Sequence, residues 1–138
     1  MMHEQIPHES AALHVTGEAL YVDDMPSSSS LLVGRVVYSA QAHARIVSYD
    51  LTKAKKAPGV AAVLSAKDIP GHNQMGPVIK DEPCLAFEEV TFVGQAVFLI
   101  AAKTDAQCRD AEKLIDVKYE SLHPVLTIDD AIAANNLL

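Results

Sequence analysis

The sequence predicts an α/β (α+β) sandwich, with a mixed sheet built from strand–helix–strand units. Two observations carry this prediction: strand-like runs rich in β-branched residues recur along the chain, and in two places a short helical segment lies between two such runs. The chain has 138 residues, of which 49% are hydrophobic, so it can bury the core of one ordinary domain.

The first half of the chain contains the first strand–helix–strand unit. Three runs are predicted as strands: Leu31 to Ser39, Ala44 to Asp50 and Val60 to Ser65. The first run should be well buried, with Gly34 as a bulge. A short helix is predicted to begin near Leu51 and to be stopped by Pro58-Gly59.

The stretch VTFVGQAVFLIAA is unusual because Gly94 and Gln95 interrupt an apolar run. It is shorter than the roughly 20 residues that a membrane helix needs. It fits two strands, Val90–Val93 and Ala96–Ala102, joined at Gly94-Gln95, or one strand broken by a bulge. Gln95 either occupies a structural kink or points at a ligand, and the amide's ability to satisfy freed backbone groups favours the structural role.

The second half supplies the clearest helix. Thr104 and Gln107 have capping-box spacing, and the apolar positions that follow repeat at i, i+3 and i+7: Cys108, Ala111 and Ile115. Val117 and Tyr119 continue as a strand, so the range from Ala96 to Glu120 is predicted as a strand–helix–strand unit with a right-handed, parallel crossover. A last short helix is expected to start at Thr127.

The organisation expected is an N-terminal lead over residues 1–12, partly flexible, followed by one domain over residues 13–138. The aperiodic range from Gly71 to Pro83 is predicted as a loop, and loops of this kind often face a ligand or a partner. A net charge of −7 argues against nucleic-acid and anionic-membrane partners. The start of the chain has no secretory signal, so we expect a cytoplasmic protein with reduced thiols at Cys84 and Cys108.

Few residues form a pattern that indicates chemistry. Six histidines are present, and no two have the i, i+3 or i+4 spacing of metal ligands on one helical face: His3, His8, His14, His43, His72 and His123. Three acidic pairs could supply a general acid and base but are interpreted as solvated turns or loops: Asp23-Asp24, Asp81-Glu82 and Glu88-Glu89. Cys108 is interpreted as a core residue and Cys84 as a packing residue. The sequence therefore predicts no catalytic, cofactor-binding or metal-binding residue.

Four strings, taken together and in this order, resemble one family: GEALYVDDMP, AHARIVSYDLTKAKKAPGVAAVLSAKDIPGHN, VTFVGQAVFLIAAKTDAQCRDAEKLIDVKYE and SLHPVLTIDDAIAA. That family is the molybdopterin-binding large subunit of xanthine dehydrogenases, within the xanthine dehydrogenase and aldehyde oxidase group of molybdenum hydroxylases. The resemblance runs from about Pro7 to Ala134 and implies a hammerhead-like fold, the α/β hammerhead domain that opens this subunit.

The resemblance also implies a function for the parent enzyme. It would hydroxylate purines, taking hypoxanthine or xanthine to urate, and pass electrons from molybdenum-molybdopterin through 2Fe-2S clusters to FAD and NAD. The chain stops at Leu138, where the family's molybdenum-binding region would begin, so no site residue carries over and no cofactor is expected in this fragment. The implied partners are the remaining molybdenum-binding region and the FAD/iron–sulfur subunit.

Two further readings stay open beside this structural role. One is a stand-alone, non-catalytic binding module of the same fold that uses the Gly71–Pro83 loop and an exposed sheet face. The other is a small enzyme that uses Asp23 and Asp24 as acid and base. A fragment of a larger subunit would also expose apolar surface, so self-association is expected at high concentration.

Overall fold

The computed structural model describes residues 8–26 and 28–136, which fall into two compact units, Met1–Leu31 and Leu32–Leu138. The first unit holds α1 (Ala11–Thr16) and a 3₁₀ turn, Val22–Asp24. The helix ends at Gly17, whose φ of 76° is the left-handed conformation that favours glycine at this position. The predicted flexible lead lies largely outside the described residues, and its boundary at residue 12 stays a prediction.

The described residues of the second unit form six strands, three α-helices and a 3₁₀ turn at Ala66–Asp68. The strands are β1 (Val33–Tyr38), β2 (Ala44–Asp50), β3 (Val60–Leu64), β4 (Glu89–Val90), β5 (Ala96–Ala102) and β6 (Asp116–Ser121). The helices are α2 (Thr52–Lys55), α3 (Asp105–Glu112) and α4 (Ile128–Ala133). Within residues 8–26 and 28–136, none of the helices is long and apolar enough to cross a membrane. The predicted α+β class is confirmed.

The strands form two three-stranded sheets, in the orders β1-β5-β3 and β4-β2-β6. Every strand pair that the structure describes is antiparallel, rather than mixed. The parallel crossover predicted over Ala96 to Glu120 is therefore wrong, because β5 and β6 lie in different sheets. Both edges of β5 are already paired, with β1 and β3, so the chain that follows α3 adds to the other sheet, beside β2. The unit β2–α2–β3 passes between the two sheets in the same way.

Helix α3 packs against all three strands of the β1-β5-β3 sheet. Its N-terminus is capped as predicted, since the Thr104 hydroxyl accepts a hydrogen bond from the backbone N–H of Gln107 at 3.3 Å. Cys108 and Ala111 are fully buried on its inner face. Ile115 follows the end of the helix and still packs against the core. The amphipathic spacing thus correctly identified the face that enters the core.

The two sheets share one hydrophobic core. Phe98 of β5 and Tyr49 of β2 meet edge to face, with ring centroids 5.1 Å apart, so the contact joins the two sheets. The same core contains other fully buried side chains: Val63, Val90, Val97, Ile100 and Cys108. A side chain the size of Phe98 contributes roughly 1.5–3 kcal/mol when it is fully removed from water, so this central position matters to both sheets.

Strand β1 differs from its prediction in two respects. It is an edge strand and none of its residues is fully buried. Gly34 pairs in register with Ala101, whereas the register shift lies between Val37 and Tyr38. A glycine tolerates a bulge but does not require one, and the pairing with β5 decides where the irregularity falls.

Gly94 and Gly34 offer a matched test of backbone strain, because an added Cβ would meet no atom within 4 Å at either position. Gly94 has a φ of 92°, which L-residues avoid. We expect Gly94→Ala to lower the free energy of unfolding by about 1–2 kcal/mol. Gly34→Ala should leave it unchanged or raise it by up to ~1 kcal/mol. Urea denaturation measures both, and equal losses in the two variants would contradict the strain assigned to Gly94.

Candidate functional site

The turn at residues 91–95 joins the two sheets, since it connects β4 to β5. Gln95 is only 7% exposed, and its side-chain Oε1 accepts a hydrogen bond from the backbone N–H of Thr91 at 2.7 Å. The backbone closes the turn further, because the N–H of Gly94 donates to Ser39 O at 2.8 Å and the N–H of Ser39 donates to Gln95 O at 2.9 Å. Gly94-Gln95 therefore forms a join between two strands and not a bulge.

The strand before this turn is shorter than predicted. Only Glu89–Val90 pairs with β2, whereas Val90–Val93 was expected to be the strand. The backbone N–H of Gln95 donates to Phe92 O at 3.3 Å, so Val93 lies within the turn and not in a strand. Phe92 and Val93 are consequently exposed, by 52% and 64%. An apolar sequence run did not distinguish strand residues from turn residues here.

The predicted loop from Gly71 to Pro83 contains no helix or strand, as expected. Asn73 holds its base, because its side-chain amide donates to Leu85 O at 2.7 Å and its Oδ1 accepts from the N–H of Leu85 at 3.0 Å. The N–H of Met75 donates to Glu82 O at 2.8 Å, which brings the two arms of the loop together. Val78 and Ile79 lie near the loop tip and are 91% and 69% exposed.

A cleft of about 440 Å³ lies between this loop and the 91–95 turn. We call it the Gln95 cleft. Its lining includes Gln95 and Thr91 from the turn, and the acidic pair Asp81 and Glu82 from the loop. Apolar walls come from Tyr38, Met75, Pro83 and Phe92, and Cys84 also borders the cleft. The volume is within the roughly 300–1,000 Å³ typical of ligand sites. Because the predicted ligand-facing loop and Gln95 both line this cleft, we take it as the candidate functional site.

The other acidic pairs lie elsewhere. Asp24 accepts a hydrogen bond from the N–H of Tyr21 at 3.0 Å and so caps the 3₁₀ turn in which Asp23 also lies. Adjacent positions in that turn give Asp23 and Asp24 no enclosed site for acid–base chemistry, and no residue of the turn is buried. Glu88 is exposed. Glu89 forms a hydrogen bond with a side chain that lies just before β2.

That partner is His43, which lies just before β2. Its Nε2 is 2.7 Å from Glu89 Oε1 and its Nδ1 is 2.9 Å from the backbone oxygen of His123. Both ring nitrogens face oxygen acceptors, so the imidazolium form can donate at both positions. These hydrogen bonds, to His123 first and to Glu89 second, raise the pKa of His43 above its ordinary value of 6.5. The pair was missed from the sequence because its members are 46 residues apart.

No metal site is formed by the described residues. Within 8–26 and 28–136, no three His, Cys, Asp or Glu side chains lie close enough together to hold a metal ion. His8 and His14 bond locally, to the N–H of Ser10 and to the Tyr21 hydroxyl. His3 lies outside the described residues.

The two cysteines are free and occupy different environments. Cys108 is fully buried, with its Sγ 3.4 Å from Val33 O, as expected for a small core residue. Cys84 is half-buried at the edge of the Gln95 cleft.

The His43–Glu89 pair makes stability depend on pH in a defined direction. Because the folded-state pKa of His43 is raised, the stabilisation is fully present below about pH 6.5 and is lost as the pH rises through the folded-state value. Glu89→Gln keeps an acceptor and removes the charge. We expect the stability advantage of the parent chain over this variant to be largest near pH 6 and to shrink by about pH 9.

The measurement is the free energy of unfolding of both chains across that pH range. A neighbouring pair provides the control, since Arg45 Nη1 and Glu120 Oε2 are 2.6 Å apart and the pair contains no histidine. The difference between parent and Glu120→Gln should stay constant with pH. A constant difference for Glu89→Gln as well would contradict the role assigned to His43.

Residues 16–123 match the family described as "Aldehyde oxidase and xanthine dehydrogenase, a/b hammerhead domain". The chain is 48% identical to the xanthine dehydrogenase of Dictyostelium discoideum over 130 residues, which are 94% of this chain and 9% of that protein. It is 42% identical to the xanthine dehydrogenase of Oryza sativa subsp. japonica over 133 residues, 96% of this chain and 10% of that protein. The chain thus spans about a tenth of the length of the curated relatives it matches.

Solved structures agree with these relatives. The aldehyde oxidoreductase from Desulfovibrio desulfuricans superposes with a TM-score of 0.82 at 28% identity, covering 93% of this chain and 15% of that one. The Cu,Mo-CO dehydrogenase gives a TM-score of 0.79 at 36% identity, covering 91% of this chain and 16% of that one. With its two antiparallel sheets and packed helices, the chain belongs to the α/β hammerhead domain family of aldehyde oxidases and xanthine dehydrogenases, whose members are molybdenum hydroxylases.

Proposed function

We propose that this chain is the N-terminal hammerhead domain of the molybdenum-binding subunit of a xanthine dehydrogenase. The intact enzyme hydroxylates purines, taking hypoxanthine or xanthine to urate, and passes the electrons to NAD in the cytoplasm. Similarity to two xanthine dehydrogenases, at 48% and 42% identity, supports this substrate class. An aldehyde oxidase from Macaca fascicularis is 44% identical over 96% of the chain, so aldehydes are the competing substrate class.

The role of this domain in the enzyme is to pack against its neighbours. The observation that carries this role is the apolar surface of the Gly71–Pro83 loop and the adjacent turn. We call it the loop–turn surface, and it consists of Met75, Val78, Ile79, Phe92 and Val93. All five side chains are more than half exposed. Met75 of the loop and Phe92 of the turn line the same cleft, and exposed apolar side chains on neighbouring segments are typical of surfaces that a protein partner covers.

The partners that fit this surface are the remaining molybdenum-binding region and the FAD/iron–sulfur subunit. Burying the loop–turn surface would place the loop at the border between this domain and the region that binds substrate. We further propose that the isolated chain self-associates at high concentration through the same surface.

Residues 8–26 and 28–136 do not bring together a group of His, Cys, Asp or Glu side chains that could hold a metal ion. Where titratable groups do approach one another, as in His43–Glu89 or Arg35–Glu112, they are engaged in hydrogen-bonded pairs within the fold. We therefore assign molybdenum and its pterin, with FAD and the 2Fe-2S clusters, to other parts of the enzyme.

A stand-alone, non-catalytic binding module is the second candidate function. The Gln95 cleft favours it, because the cleft is formed entirely within this unit and borders the predicted ligand-facing loop. A binding module would use the cleft without any molybdenum-dependent partner.

The test compares residues 1–138 with the product of the complete gene. If the proposal holds, the reading frame stays open beyond the codon for Leu138, the complete product contains molybdenum and oxidises xanthine with NAD, and the 138-residue chain does neither. Elemental analysis and absorbance assays of NAD reduction measure these properties. Xanthine turnover by the 138-residue chain alone would contradict the packing role, and a stop codon after Leu138 would favour the binding module.

A further inference from the structure

Residues 122–136, which we call the arm, follow β6 and contain α4. None of these residues is buried, and Ile128 and Ile132 of α4 are 80% and 62% exposed. Residues 124–126 and His43 line a cavity of about 280 Å³, so packing is incomplete where the arm leaves the sheet. Apolar packing therefore does little to hold the arm in place.

Two hydrogen bonds join the described residues of the arm to the rest of the domain, and both involve His43. The backbone N–H of Leu122 donates to His43 O at 3.0 Å, and the ring Nδ1 of His43 lies 2.9 Å from His123 O. The other hydrogen bonds of the arm stay within it, such as the cap that Thr127 provides for α4. No side chain in the described part of the arm forms a salt bridge.

The ring of His43 faces two acceptors, so its protonation state decides how many of them it can satisfy. Its Nε2 is 2.7 Å from Glu89 Oε1, and its Nδ1 faces the carbonyl oxygen of His123. The imidazolium donates at both nitrogens, whereas the neutral ring carries one N–H and one lone pair. A hydrogen bond to a carboxylate is stronger than one to a neutral carbonyl. The neutral ring therefore keeps its proton on Nε2 and turns the lone pair of Nδ1 toward the His123 oxygen.

We propose that His43 is a latch, which holds the arm while its ring is charged and releases the arm at His123 when Nδ1 loses its proton to solvent. The hydrogen bonds to His123 and to Glu89 raise the pKa of His43 above its ordinary value of 6.5. The arm is thus held below about pH 6.5 and is released as the pH rises through the folded-state pKa. The latch goes beyond the packing role, because it does not depend on which reaction the intact enzyme catalyses.

Glu89 is the acidic group that sets the proton position in this ring. Among the described residues, no other carboxylate forms an ion pair with His43, and no charged side chain apart from His43 lines the cavity. The remaining charged or titratable groups on the neighbouring elements are Glu88 beside β4, the ion pair Arg45–Glu120 of β2 and β6, and the imidazole of His123 on the arm.

The test compares the mobility of the arm at about pH 5.5 and about pH 9. It uses ¹³Cα relaxation, because amide exchange with water does not affect that signal. We expect the order parameters of Val125 and Leu126 to fall from about 0.85 at the lower pH to below about 0.6 at the higher pH. Ring ¹⁵N shifts of His43 at the higher pH should show a proton on Nε2 and none on Nδ1. An arm with the same order at both pH values, or a neutral ring with its proton on Nδ1, would overturn the proposal.

Two variants separate the latch from other titrating groups. Glu89→Gln removes the carboxylate that fixes the proton on Nε2, so the neutral ring can donate from Nδ1 to His123 and the arm should stay ordered at about pH 9. His123→Gln removes the second imidazole and keeps the backbone oxygen, so this arm should lose order with rising pH as the parent does. Loss of order at high pH in Glu89→Gln, or an arm that no longer responds to pH in His123→Gln, would refute the latch.

Discussion

The hydrogen bond from the backbone N–H of Thr91 to Gln95 Oε1 is the interaction on which the rest of this unit depends. It closes the turn that carries the chain from β4 in one sheet to β5 in the other. Gly94 provides the left-handed backbone that the turn requires. Ser39 bonds to the turn through both its backbone groups, because its carbonyl accepts from the N–H of Gly94 and its N–H donates to the carbonyl of Gln95. A glycine followed by glutamine in an apolar run thus serves to join two sheets.

Several features of the domain follow from this join. Because β5 enters the first sheet directly after the turn, Phe98 reaches Tyr49 of the other sheet and the two sheets share one core. Helix α3 then covers the sheet that contains β5, while His43 and Glu89 hold the second sheet near the segment that begins at His123. The same turn leaves Phe92 and Val93 exposed, so the geometry that builds the core also builds the loop–turn surface.

Local features of this structure could be predicted from the sequence, and pairing between distant segments could not. Helices α3 and α4 begin where Thr104 and Thr127 predicted, because a capping hydroxyl bonds to an N–H three residues away. Alternation of side chains reports which face of a strand is buried, but it does not report which strand lies beside it. The parallel crossover was therefore wrong, the irregularity in β1 lies at Val37 instead of Gly34, and the His43–Glu89 pair was not foreseen.

The family and the fold class could be predicted because several ordered strings agree along the chain. The Gln95 cleft depends on the side-chain rotamer of one residue and on a loop closed by Asn73, neither of which leaves a local signal in the sequence. Native-state hydrogen exchange of the Thr91 amide tests the central role of Gln95 most directly. We predict that this amide is protected in the parent chain and exchanges rapidly in Gln95→Ala, while Gln74→Ala leaves it protected. Rapid exchange in the parent chain, or unchanged protection in Gln95→Ala, would contradict the account.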